Sequence, residues 1–107
     1  MNSTLQKEIN NLIQNHNILI FIKGSKEQPQ CGFSNTVVQI MNSLAVEYHA
    51  INVLEHMEMR EGIKKYSSWP TIPQVYVQGQ FLGGADIILE QYKSRQLHEI
   101  IEMIQSS

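Results

Sequence analysis

The sequence predicts an α/β fold in which a four-stranded mixed sheet is flanked by helices on both faces. Three observations point there. Ile18-Leu19-Ile20-Phe21-Ile22 is a continuous apolar run of strand length. Apolar residues recur at helical spacing in the stretches around it. Val75 and Val77 alternate before a Gln78-Gly79-Gln80 turn that returns through Phe81-Leu82, which is the pattern of a hairpin.

Taken in chain order, Leu5, Ile9, Leu12 and Ile13 mark one face of a first helix, with Ser3 or Thr4 available as its cap and Asn15-His16-Asn17 as its break. The apolar strand follows. Lys23 to Gln30 is a polar loop with turn residues at both ends, and it delivers the chain to Cys31. Val37, Ile40, Met41 and Leu44 then repeat at helical spacing, so a second helix begins close to the cysteine. A weakly patterned strand is expected over Tyr48 to Val53. Met59, Ile63 and Tyr66 lie on one face of a third helix, which must stop before Trp69-Pro70 because a residue preceding proline is pushed out of the helical region. After the hairpin, Gly83-Gly84-Ala85-Asp86 opens a last helical region in which Leu97, Ile100, Ile101 and Ile104 share a buried face. A βαβ unit feeding a ββα unit gives the thioredoxin arrangement, and residues 1–107 are expected to form one domain.

The charge balance argues against some partners. Eight Lys and Arg against ten Asp and Glu make no basic field that would draw phosphate backbones or anionic lipid, so neither nucleic acid nor a membrane surface is expected. The apolar run is far shorter than the roughly 20 residues of a membrane span, and the first residues resemble neither a signal nor a transit peptide. A cytoplasmic protein, or the mature form of an imported one, is expected. One cysteine closes no internal disulfide, which suits a reducing compartment.

Chemistry gathers around that cysteine. Cys31 lies where a loop enters a helix, and backbone N–H groups there favour a thiolate, with Lys23 able to add a positive charge. A buried, inert thiol is the common fate of a free cysteine, but the polar flank and Gly32 argue against it. A dithiol C-x-x-C motif would need a cysteine at Ser34; serine can cap a helix or make a hydrogen bond, but cannot resolve a mixed disulfide. A second sulfur must come from a small thiol or another subunit. Pro73 is either an ordinary strand-entry residue or follows a cis bond, in which case Ile72 presents its backbone to an extended peptide such as glutathione. The Gly83-Gly84-Ala85-Asp86 turn can offer N–H groups to a carboxylate and Asp86 to an amine, or can be a plain turn and cap. Arg60 is a surface charge or a carboxylate clamp. His16, His49, His56 and His98 show no metal-site spacing and are expected on the surface or in loops.

These residues carry a resemblance. Cys31-Gly32-Phe33-Ser34 is the CGFS signature of monothiol glutaredoxins, and Lys23-Gly24, Trp69-Pro70-Thr71-Ile72-Pro73-Gln74-Val75-Tyr76 and Gly83-Gly84-Ala85-Asp86 are similar to that family's other landmarks, in the same order over essentially the whole chain. The resemblance implies that Cys31 ligates iron and that Lys23, Arg60, Ile72, Ala85 and Asp86 line a glutathione groove. It implies a 2Fe-2S cluster held between two protomers by two protein and two glutathione thiolates, a BolA-type partner, and transfer to apo iron-sulfur proteins. One thiolate per chain is compatible with such shared coordination. Two departures stand out: Lys26 replaces a frequent proline, with a more mobile loop expected, and Ala85 replaces a frequent cysteine. The same groove would serve a glutathione-dependent oxidoreductase using Cys31, the alternative function. An interaction module without redox chemistry leaves the surroundings of Cys31 unexplained.

Overall fold

A computed structural model describes residues 1–106. The elements are α1 (Ser3–Gln14), β1 (Ile18–Ile22), α2 (Gly32–Ser43), β2 (His49–Asn52), α3 (Met57–Ser67), β3 (Gln74–Val77), β4 (Gln80–Gly83), α4 (Ala85–Lys93) and α5 (Gln96–Gln105). The sheet runs β2-β1-β3-β4, with β2 parallel to β1 and the other neighbours antiparallel. The expected mixed sheet is therefore present, and β1 at its centre is buried along its whole length.

The two-residue period of a strand sorts the core onto the two faces. Ile18, Ile20 and Ile22 of β1, with Val75 and Val77 of β3, pack against Val37, Val38 and Met41 of α2, Ile88 of α4 and Leu97 of α5. Leu19 and Phe21, with Tyr76, face Ile9 and Ile13 of α1 and Met59 and Ile63 of α3. Apolar positions that repeat along each helix are the ones that meet the sheet, which is why the helical spacing of the sequence translates directly into layers. No helix of the described residues is long and apolar enough to cross a membrane.

Three local expectations are corrected. The cap of α1 is Asn2, whose side-chain oxygen accepts the Leu5 N–H at 2.7 Å; Ser3 already lies in the first turn. The strand expected over Tyr48 to Val53 is shorter, His49–Asn52, because pairing with β1 runs only from His49 opposite Leu19 to Asn52 opposite Ile22. The last helical region is two helices: Arg95 takes a left-handed conformation (φ 68°), which interrupts the hydrogen-bond ladder after Lys93 and redirects α5 so that Leu97 and Ile101 reach the core. No glycine or proline marks this break in the sequence.

Candidate functional site

The end of β1 releases the chain into a loop that the structure holds firmly. Gly24 has φ +97°, and a side chain there would strike the backbone of Gln28 and Gln30 at 2.6 Å, so only glycine permits the fold-back. An isolated antiparallel bridge joins Gly24 to Pro29, and the Gln30 N–H donates to the Lys23 carbonyl at 2.9 Å. Asn52 accepts the N–H of Gly24 at 2.9 Å and that of Leu54 at 3.0 Å. Lys26 reaches across to the residue before β2: its ammonium donates to the Tyr48 carbonyl at 3.1 Å and lies 4.6 Å from the centre of the Tyr48 ring.

Cys31 is the N-cap residue of α2, half-exposed, and its carbonyl accepts the first helical bond from Asn35 at 2.8 Å. The backbone N–H of Ser34 is the main influence lowering the thiol below its ordinary value of 9.0; burial opposes it, and the Phe33 N–H, the Lys23 charge and the Ser34 hydroxyl assist. Ser34 itself is fully buried and is not the cap. Its oxygen accepts the Lys23 N–H at 3.0 Å, so it ties the strand end to the start of the helix.

Opposite the thiol, the Ile72–Pro73 bond is cis. Sheet pairing begins only at Gln74, opposite Phe21, and no hydrogen bond engages the backbone of Ile72 among the described residues. Gly84 caps α4, with Ala85 and Asp86 in its first turn, where the backbone N–H groups lack helical acceptors. A Cβ on Gly84 would lie 3.2 Å from the indole nitrogen of Trp69 and 3.3 Å from the carbonyl of Pro73, so its lack of a side chain lets the two segments close together.

Between these segments lies a cavity of about 490 Å³. Lys23, Cys31, Arg60, Ile72, Ala85 and Asp86, far apart in sequence, all line it, together with Phe33, Lys64 and Trp69. The only salt bridge among the described residues joins Lys64 to Glu61 at 3.2 Å, so among those residues Lys23, Arg60 and Asp86 have no ion-pair partner. Two donors, Arg60 Nε and Trp69 Nε1, are buried with no acceptor. Such a site offers a nucleophilic thiol, cations, unpaired backbone groups and one carboxylate to a small zwitterionic ligand.

The sequence profile of the glutaredoxin family matches residues 18–82. An uncharacterized monothiol glutaredoxin of Synechocystis sp. is 48% identical over 107 residues, all of both chains. This chain belongs to the monothiol glutaredoxins. The longer chloroplast monothiol glutaredoxin-S7 of rice is 48% identical over 95% of this chain and 58% of its own length. The solution structure of reduced poplar apo GrxS14 has a TM-score of 0.81 and 47% identity, covering 96% of this chain and 94% of that one. The crystal structure of a buckwheat glutaredoxin–glutathione complex shares the fold at a TM-score of 0.82, with 17% identity over 94% of this chain and 89% of that one.

In this monothiol glutaredoxin the sequence did not single out Phe33, Lys64 or Gln74. Phe33 is 63% exposed and lines the cavity beside the thiol, and its place in the Cys31-Gly32-Phe33-Ser34 motif was the available signal. The histidines take other roles: His16 and His49 stack with ring centres 4.2 Å apart, His98 stacks on Tyr92, and His56 precedes α3. Among the described residues no three His, Cys, Asp or Glu groups converge on a metal position.

Proposed function

We propose that this glutaredoxin binds glutathione in the groove and, as a pair of chains, holds a 2Fe-2S cluster that it hands to apo-proteins. The observation that carries this reading is the convergence of six separate positions, Lys23, Cys31, Arg60, Ile72, Ala85 and Asp86, on one cavity. Lys23 and Arg60 suit the glycine carboxylate of glutathione, Asp86 suits its γ-glutamyl amine, and the free backbone of Ile72 suits its cysteinyl peptide unit. The buckwheat complex, a glutaredoxin of the same fold with glutathione bound, supports the choice of ligand.

The donor chemistry suits the cargo. An iron-sulfur cluster of this kind takes four thiolates; Cys31 supplies one per chain, half-exposed and inclined to ionise, and a glutathione thiol beside it supplies a second. Two such pairs complete the set, so the cluster assembles a homodimer. With Ser34 buried and its oxygen occupied by the Lys23 N–H, no second side chain competes for the metal or resolves a disulfide on Cys31. A BolA-type protein and apo iron-sulfur proteins are the partners consistent with this reading, and a cytoplasmic or organelle-matrix location suits the single reduced thiol.

Reconstitution with iron, sulfide and glutathione tests it. The wild type should become brown and dimeric, whereas Cys31→Ser should lose both the visible absorption and the dimer while keeping its far-ultraviolet circular dichroism, because a serine hydroxyl is a poor substitute for a soft thiolate. A coloured dimer from Cys31→Ser, or one formed without any added thiol, would rule out this ligand set. Rapid turnover of glutathionylated protein by a colourless monomer would instead favour the oxidoreductase.

A further inference from the structure

Beneath one wall of the groove, a single polar side chain is buried completely where the sheet otherwise presents apolar residues. Gln74 begins β3 with no exposed surface. Its amide nitrogen donates to the carbonyl of Trp69 at 3.1 Å and to that of Thr71 at 3.3 Å, and its amide oxygen accepts the Tyr76 hydroxyl at 3.1 Å. The orientation follows from the partners. Carbonyls only accept, so both N–H groups of the amide must point toward them, and the oxygen is left for the phenol. Tyr76 is 2% exposed, and burial pushes its hydroxyl well above the ordinary range, which keeps it a donor.

A buried amide of this kind costs free energy unless every polar atom is paired, and here each is. Its two acceptors belong to the segment that forms the groove wall from Trp69 to Pro73. That wall in turn touches the turn across from it, since the Trp69 indole packs against Gly84 so closely that a single added carbon would crowd it. We propose that Gln74 is a positioning residue for the groove: by holding the carbonyls of Trp69 and Thr71 from below, it sets the wall against which glutathione lies and, through Trp69, the seat of the Gly84 turn. Gln74 touches no ligand itself.

This inference rests on the groove being the glutathione site, so the test reads the wall and the ligand separately. Trp69 is the chain's one tryptophan, and its fluorescence reports the wall without any ligand. Gln74→Leu should shift the emission of Trp69 and weaken glutathione binding by about tenfold in calorimetry, the scale of losing buried hydrogen bonds. Tyr76→Phe leaves both carbonyl bonds in place and should keep affinity within about twofold. The double variant Gln74→Leu/Tyr76→Phe removes the buried phenol that Gln74→Leu deprives of its amide acceptor, with only Ser67 beside it, and so should regain thermal stability without regaining affinity or the original emission. Affinity that returns together with stability would make Gln74 a mere filler and overturn the proposal. So would an unchanged Trp69 emission in both Gln74 variants. A wild type that binds no glutathione would undo the ligand assignment, while the emission of Trp69 would still judge the wall.

Discussion

The two ends of strand β1 treat charge in opposite ways. At its far end, where Lys23 and Cys31 meet, N–H groups and a cation lower the thiol below 9.0 and favour the charged thiolate. At its near end, His16 and His49 stack between α1 and β2, and His49 is pushed below 6.5 by burial, by His16 and by Lys26, all of which favour the neutral ring. Five strand residues separate an end that favours a charged thiol from an end that favours a neutral imidazole. Pairs of titratable groups are therefore poor guides to a working site unless the sign of their environment is known.

The largest effect that would sharpen this contrast is on binding. Lys23→Ala and Arg60→Ala should each weaken glutathione binding by about tenfold or less, since charge-assisted contacts at a partly exposed groove are worth about 1 kcal/mol each. Calorimetry that finds both variants unchanged would detach the cations from the ligand. A smaller effect concerns the thiol itself. The pH dependence of alkylation by iodoacetamide should show a midpoint below 9 in the wild type, and Lys23→Ala should move that midpoint upward. A wild-type midpoint at or above 9 would erase the distinction between the two ends.

The smallest effect belongs to His49. Its folded-state pKa lies below 6.5, so the unfolded chain binds the proton more readily; the stability this neutral ring contributes is complete above pH 6.5 and is lost as pH falls through the lowered value. The thermal stability of the wild type should therefore fall on acidification below pH 6.5, and His49→Gln should flatten that slope slightly. An unaltered slope in His49→Gln would assign the acid sensitivity to other groups.

Much of this was legible in the sequence because it rests on local signals. The strand of Ile18 to Ile22, the helical faces and the stop before Trp69-Pro70 follow from periodicity and backbone sterics, and the six groove positions were named by the resemblance to monothiol glutaredoxins. What stayed hidden depends on partners distant in the chain. Nothing near Lys26 announces its contact with Tyr48, 22 residues away. Arg95 bends the chain without glycine or proline, and Ser34 looked like a cap until the strand end at Lys23 claimed its oxygen. Gln74 was the most readable omission: it shares a strand face with Tyr76, two residues on, and a glutamine beside a tyrosine on an otherwise apolar strand already asks where its hydrogen bonds go.

The bridge between Gly24 and Pro29 divides the loop before Cys31 into a base and a tip. Lys26, Glu27 and Gln28, beyond the bridge, are exposed, so extra length there leaves the base closed. Residues on the thiol side have no such slack. One residue gained or lost between Pro29 and Cys31 shifts the helix start against the strand end and parts the thiol from Lys23. The base is thus the ruler that spaces its chemistry, and the exposed tip lies outside that measure.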